Sequence, residues 1–337
     1  MEEVVYPSLG SRSPHLKVGP GVGFDNSVIS LGEGHVMILT VDPVSAIPAL
    51  GMKLSAWLSV HLIASDYTTS GNDPEFATFA FNFPPAMPTS DREDYVRAIG
   101  RECKELEIAV AGGHTGSYPG GGFTVIGAGS MLGFSTDDGY VTPAMARIGD
   151  SILMTKHAGI EATASLALSF PKRVERLVGR RLANRARKMI SLCTTVADAR
   201  AARRVGLGSD GITSMHDATE GGVLGALGEM ATASGKSYLV ETDKIPVSDE
   251  ARKVCAAFGI DPLLTMGEGA LLITCRPEHV SELKQTMASS SIPIEEVGRV
   301  NRGKGLAPMK GGLPMKFKPG IDRYWPVYDR ALRQGLN

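Results

Sequence analysis

Apolar positions along the chain fall into two rhythms. "HVMILTVDPVS" is a short, nearly continuous apolar run, as a buried strand requires, and Asp42-Pro43 is expected to end it. Proline lacks the ladder donor and biases the residue before it to an extended form. "ALGMKLSAWLSVHLIAS" carries its apolar residues at helical spacing and gives way at "DYTTSGNDP". "EFATFAFNFP" alternates aromatics with smaller residues, which predicts a half-buried strand. Ser90, with Glu93 three residues on, resembles a capping box opening the helix "DREDYVRAIGRECKELEI". "AVAGGHTGSYPGGGFTVIGAGSMLGF" then reads as strand, glycine loop, strand.

The rhythm restarts around "VTPAMARIGDSILMTK". A strand over Ile152 to Thr155 leads into "HAGIEATASLALSF", a helix that begins at a glycine. An arginine-rich helical segment covers Lys172 to Arg204, and the polar elbow of "GITSMHDATEGG" runs into an apolar helix before the strand "GALLITC". Long helices alternating with short strands predict an α/β (α+β) architecture in two halves. We place the domains at 1–148 and 149–310. A Pro- and aromatic-rich tail over 311–337 is expected to pack on one of them through Trp325 and Tyr328.

Composition narrows the function classes. The 337 residues suffice for two cores, and a net charge of −1 leaves no electrostatic footprint for nucleic acid or an anionic membrane. The richest apolar stretch is broken by Asp42, Pro43 and Pro48, so it cannot span a bilayer. Cys103, Cys193, Cys255 and Cys275 are scattered without a C-x-x-C pair, which argues for a reducing compartment. Glutamates fill the start of the chain, where a signal peptide needs basic residues. The expected location is the cytoplasm. Forty glycines exceed the usual share of about 7%, and their clustering suggests loops that let backbone approach a ligand.

Placement of the carboxylates carries the chemistry. Asp25 lies in "GPGVGFDNSVI", Asp42 at a strand end, Asp66 at a helix end and Asp217 before a helix. Taken singly, each is what turns and N-caps use. Converging on one cleft, they would repel each other unless a hard cation sat among them, and Mg²⁺ with nucleotide phosphate is the usual one. Thr219, Gly221 and Gly222 stand at the mouth of the apolar helix, where free backbone N–H groups can take a phosphate. "GGHT", Gly112 to Thr115, is placed in the glycine loop. His216 is read as a neighbour shaping the elbow, because no second histidine shares a ligand-like spacing with it. "GRVNRGKG" nearly fits a P-loop, but Gly305 replaces the Ser or Thr that holds Mg²⁺, so it is read as a turn between strands. There is no G-x-G-x-x-G after a strand, no G-x-S-x-G and no H-E-x-x-H.

In order, these motifs resemble the superfamily of aminoimidazole ribonucleotide (AIR) synthetase, thiamine-monophosphate kinase, selenophosphate synthetase and the hydrogenase maturation factor HypE. "GFDNSVI" looks like the first Asp motif, "LTVDPVS" like the strand-end "TTD", and "LIASDYTTSGNDP" like "NLSDIAAMGAXP". "GGHT" sits where that superfamily has "GGDT" or "GGET", and "IGDSILMTKHAGIEATASL" is similar to "GDXIXVTGXXG". "HDATEGGVLGALGEMATASG" resembles "DXTXGGLXXALXEXAXASG", and "GEGALLIT" the late strand motif. The resemblance implies a two-domain PurM-like fold whose N-terminal strands form a barrel across a homodimer. It also implies ATP in the cleft, Mg²⁺ held by Asp25, Asp42, Asp66 and Asp217, and phosphates approached by Gly112, Gly113 and Thr115. Thr219, Gly221 and Gly222 belong to the second domain's share of that site, with Asp42 and His114 as catalytic residues.

Departures separate the members. The chain ends "RALRQGLN" without the terminal Cys of HypE, no cysteine precedes Cys103 as selenophosphate synthetase would need, and "DGVGTK" is missing after Asp42. The pattern is closest to HypE-like, AIR synthase-related proteins: enzymes that use Mg-ATP to phosphorylate a small molecule or a carboxamide oxygen. Thiamine-monophosphate kinase activity and a non-catalytic nucleotide-binding scaffold working with a maturation-factor partner are the alternatives.

Overall fold

The computed structural model describes residues 4–315 and 322–334. Parts of the acidic start and of the tail, at 1–3, 316–321 and 335–337, lie outside the described residues. The described residues build two sheets. The first uses β1 (Leu16–Val18), β2 (Ser27–Gly32), β3 (His35–Ser45), β4 (Phe76–Phe83), β5 (Ala109–Ser117) and β6 (Val125–Thr136), in the order β1-β2-β3-β6-β4-β5. Helices α1 (Met52–Thr68) and α2 (Thr89–Glu105) form its other layer, and only β4 and β5, joined through α2, run parallel. Val36, Ile38, Ile63, Tyr67, Phe79, Phe81 and Tyr95 fill the core between them.

Four local readings differ from the sequence expectation. Strand β3 does not end at Asp42-Pro43 but pairs with β6 as far as Ser45. Its pairing with β2 stops at Leu39 opposite Ser27, so the missing N–H of Pro43 faces an unpaired side. Helix α2 starts at Thr89 after Pro88 with no side-chain cap, and Glu93 instead pairs with Arg97 one turn on. "GGHT" is not in the glycine loop but inside β5, an exposed edge strand. Gly113 suits that strand, because a Cβ there would lie 2.1 Å from the Phe79 carbonyl oxygen. The arginine-rich segment is not one helix but is broken at Gly179, whose φ of +83° favours glycine, and again around Cys193.

The sheet is open, and among the described residues no sheet closes into a barrel. Its second face is uncovered, with Val41 61%, Val125 56% and Phe134 49% exposed.

The second half begins at β7 (Ser151–Thr155) and continues through α3 (Ile160–Ser169), α4 (Pro171–Val178), α5 (Arg180–Lys188) and α6 (Val196–Ala202). Strand β8 (Ile212–Asp217), α7 (Gly222–Ser234), β9 (Ser237–Glu241), α8 (Asp249–Phe258) and β10 (Leu271–Cys275) follow. Helix α9 (Val280–Ser289), β11 (Ile294–Asn301), β12 (Gly305–Lys310), β13 (Leu313–Pro314) and α10 (Tyr324–Arg333) complete it. The sheet order is β13-β12-β9-β11-β7-β10-β8, with only β9 and β12 parallel. Of "GRVNRGKG", only 302–304 form the turn between β11 and β12; its first four residues are the end of β11.

In the tail, β13 extends this sheet, while Tyr324 and Tyr328 are core residues bonded to Ser165 and Ser169 of α3. Among the described residues no helix is long and apolar enough to cross a membrane.

Candidate active site

The end of β8 and the loop before β2 meet at His216. Its Nδ1 lies 2.8 Å from Asp25 Oδ1 and 2.9 Å from Oδ2, and its Nε2 lies 3.1 Å from Glu229 Oε2 on α7. Asp25 is held in register from behind: Thr40 Oγ1 donates to its carbonyl at 2.7 Å, and Asn26 Nδ2 donates to the Asp66 carbonyl at 2.8 Å. The first-domain loop is thereby pinned to β3, to the end of α1 and to the second domain at once. Burial pulls the His216 imidazole down, but the charge and hydrogen bond of Asp25 and the bond to Glu229 outweigh it. The ring is held well above its ordinary value. Both ring nitrogens face carboxylates, so the ring orients Asp25 and Glu229.

Beside it, Asp217 is fully buried, and neither of its carboxylate oxygens has a hydrogen-bond partner. One atom each from Asp25, His216 and Asp217 falls within 4.8 Å of the others. Burial raises Asp217 to about 8, with Asp25 and Asp42 pushing the same way. Burial, then Asp217, Asp42 and Asp25 raise Asp66, and burial with Glu220 and Asp25 lifts Asp42 to about 7. The four aspartates singled out from sequence thus share one field.

Two glutamates join them that the sequence reading passed over. Burial and Asp217 raise Glu268. Burial, Asp322 and Asp42 raise Glu161 to about 8. Each has an Oε2 that is buried and unpartnered. The signal was present in the quoted motifs "GIEATASL" and "GEGALLIT", as charges inside otherwise apolar or small-residue runs.

Orphaned buried carboxylate oxygens are expensive unless a proton or a cation satisfies them. The carboxylate oxygens of this cluster are hard donors of the kind that fit Mg²⁺.

The other expected residues are placed differently. His114 is exposed on β5 and bonds Tyr118 through Nε2 at 2.6 Å; among the described residues it pairs with none of the clustered carboxylates. Gly112 is on the same edge strand, and Thr115 borders a groove of about 580 Å³ with Phe83 and Arg92.

At the elbow, the Thr219 carbonyl accepts N–H bonds from Gly222 at 3.1 Å and Gly267 at 3.2 Å. Gly221 N–H, where a phosphate was expected, donates to Asp322 Oδ2 at 3.0 Å, and Leu224 N–H donates to the Leu263 carbonyl at 3.1 Å. Most of the helix mouth is satisfied from within the protein, and a buried carboxylate from the tail takes the anion's place at Gly221. The elbow's contribution is to carry Asp217 and, through Thr219, to hold the loop bearing Glu268. Asp322 also accepts from Thr265 Oγ1 and Tyr324 N–H. Asp322→Ala is therefore expected to cost about 1.5–3 kcal/mol in urea denaturation; an unchanged midpoint would refute this account of the elbow. A cavity of about 1660 Å³ opens beside it, lined by Val22, Glu220, Glu229, Arg252 and Asp322 among others.

Comparison with known proteins fits this geometry. Residues 23–134 match the N-terminal domain, and residues 147–310 the C-terminal domain, described as AIR synthase related protein. The chain belongs to the AIR synthase-related family. Selenide, water dikinase of Methanococcus maripaludis is 26% identical over 322 residues, covering 87% of this chain and 88% of that one. Carbamoyl dehydratase HypE of Bradyrhizobium diazoefficiens is 25% identical over 274 residues, covering 79% and 73%.

Among solved structures, the HypE–HypF complex matches with a TM-score of 0.74 at 20% identity, over 95% of this chain and 99% of that one. HypE in complex with ATP matches at 0.67 and 18%, over 91% and 92%. The AIR synthase-related chain shares their fold. Its aspartate cluster lies within the two matched regions, Asp25, Asp42 and Asp66 in the first and Asp217 in the second.

Proposed function

We propose that this AIR synthase-related chain is an ATP-dependent phosphoryl-transfer enzyme that uses Mg²⁺ and phosphorylates a small molecule or a carboxamide oxygen. The observation that carries the reading is the fully buried Asp217, with both oxygens unpartnered, amid carboxylates from both halves of the chain. ATP is supported by the structural relative solved with it. Asp25, Asp42, Asp66 and Asp217 would hold the cation, which neutralises charge on the transferring phosphoryl group.

The chain's own residues supply the rest. His216 orients Asp25. Glu161 Oε2 and Glu268 Oε2, buried without partners, face the same cleft and would add to its demand for a cation. Gly112, Gly113, His114 and Thr115 would meet the nucleotide only along the β5 edge, where the exposed strand and the uncovered apolar face fit a second copy of this chain. We place the protein as a homodimer in the cytoplasm, with its four free cysteines all buried. A maturation-factor partner is suggested by the HypE–HypF complex.

The test is titration of a non-hydrolysable ATP analogue with and without Mg²⁺, on wild type and Asp42→Asn, followed by an ADP-release screen over amides and small hydroxyl acceptors. Mg²⁺-dependent binding, lost in the variant, is expected. No binding in either condition overturns the reading, and binding without ADP release for any acceptor favours a nucleotide-binding scaffold.

A further inference from the structure

Lys156 occupies the left-handed region, with φ of +55°, at the position where the similar motif "GDXIXVTGXXG" has glycine. A lysine there holds backbone strain that glycine would not. Its side chain is only 9% exposed, and its Nζ is fully committed. It pairs with Asp198 Oδ2 at 3.0 Å, donates to the Thr194 carbonyl at 2.7 Å, and donates to the Gly269 carbonyl.

Each carbonyl leads to a carboxylate of the cleft. From Thr194 the link runs into the first half of the chain. Thr194 Oγ1 meets His61 Nδ1 at 3.0 Å, and Thr195 N–H donates to Ser65 Oγ at 2.9 Å. Both partners lie on α1, and Ser65 is next to Asp66. On the other side Gly269 follows Glu268, whose Oε2 is buried without a partner. Gly269 is packed so closely on the Leu192 carbonyl that a Cβ would lie 2.1 Å from its oxygen. One ammonium group therefore ties together the backbone segments behind a carboxylate of each half.

We infer that Lys156 is a positioning residue that sets the separation of Asp66 and Glu268 across the cleft. Insofar as that separation shapes a cation site, the inference rests on the proposed function. The ammonium does not touch either carboxylate; it acts through the Thr194–Asp198 segment and the Gly267–Gly269 loop. The strained φ is tolerated because three oxygens from two separate segments of the second half converge on the side chain.

Two full-length variants test this. Lys156→Gly removes the ammonium and relieves the backbone. Lys156→Met with Asp198→Asn removes both charges, so that no buried carboxylate is left facing an apolar side chain. Amide hydrogen exchange is read over residues 64–68 and 266–270, with α9 as the internal reference. The expected result in both variants is exchange at least tenfold faster in those two segments and unchanged in α9. Mg²⁺ titrated in the presence of a non-hydrolysable ATP analogue should bind at least tenfold more weakly.

A lowered melting temperature with wild-type exchange in both segments would overturn the inference, since a merely structural lysine would give that pattern. If the wild-type protein takes up no Mg²⁺, the proposed function falls, while the exchange comparison still decides the role of Lys156. Should the double variant fail to fold, Lys156→Gly carries the test, because glycine accepts the same φ.

Discussion

Asp217→Asn is expected to abolish Mg²⁺-dependent nucleotide binding while raising the melting temperature of the metal-free protein. Both effects come from the same atoms. The Asp217 oxygens have no hydrogen-bond partner in the fold, only the His216 ring at 4.0 Å, so on the proposed function their main use is to hold the cation. Without a cation, burial and Asp25 push the carboxyl up to about 8.

The sign then follows from linkage. A group whose folded value is raised above its unfolded value, near 4, contributes stability that is complete below about pH 4 and is lost as pH rises through about 8. Metal-free wild type should lose stability between pH 5 and 8.5, by at most about 1.4 kcal/mol per pH unit for each proton the cluster retains. Asp42, raised to about 7, adds to the same window. Asparagine cannot charge, so the variant should show a shallower slope and a higher midpoint at pH 8. Saturating Mg²⁺ should flatten the wild-type slope by replacing the protons. Thermal melts of both proteins at pH 5, 7 and 8.5, with and without Mg²⁺, read this directly. Identical slopes, or a variant that still binds Mg-nucleotide, would refute it.

His216→Ala should be among the most damaging single changes to the fold. The ring is 3% exposed and bridges Asp25 on the first-domain loop to Glu229 on α7. The same loop packs on α7 at Gly23, where a Cβ would come within 2.9 Å of the Glu229 backbone. Removing the ring leaves two carboxylates facing each other across the join; breaking the buried Asp25 side costs about 3–5 kcal/mol, while Glu229, 38% exposed, adds little because water screens it. The imidazolium is held well above 6.5, so its contribution is complete below pH 6.5 and is lost only as pH rises through that elevated value. Urea denaturation at pH 6 should show the full deficit, with the gap to wild type closing at strongly alkaline pH. A loss under about 1 kcal/mol at pH 6 would mean that the bridge is not what joins the loop to α7.

Much of the strand and helix pattern was legible because periodicity reports burial directly. The alternating aromatics of Phe76 to Phe83 and the apolar run of Leu271 to Cys275 are strands for that reason. Local punctuation was less reliable. Pro43 does not stop β3, because what matters is which side of the strand is paired, and the partner strands are remote in sequence. "GGHT" has the composition of a loop, yet it lies in a strand beside β4, where Gly113 allows close approach to Phe79. Glu161 and Glu268 were hidden by their apolar surroundings, which read as helix and strand.

By itself the sequence determined the family and the α/β class in two halves, and it singled out the four aspartates, because motif order and periodicity are properties of the chain. Tertiary structure alone decided what those groups face. It showed that His216 is a bridge, that Asp322 takes the Gly221 N–H where a phosphate was expected, and that Asp217 is buried without a partner. Partners 101 and 191 residues away, as for Gly221 with Asp322 and His216 with Asp25, leave no local periodicity to read. Their charges acquire meaning only when folding removes water and brings them together, because burial is what makes an unpaired carboxylate costly and a cation welcome.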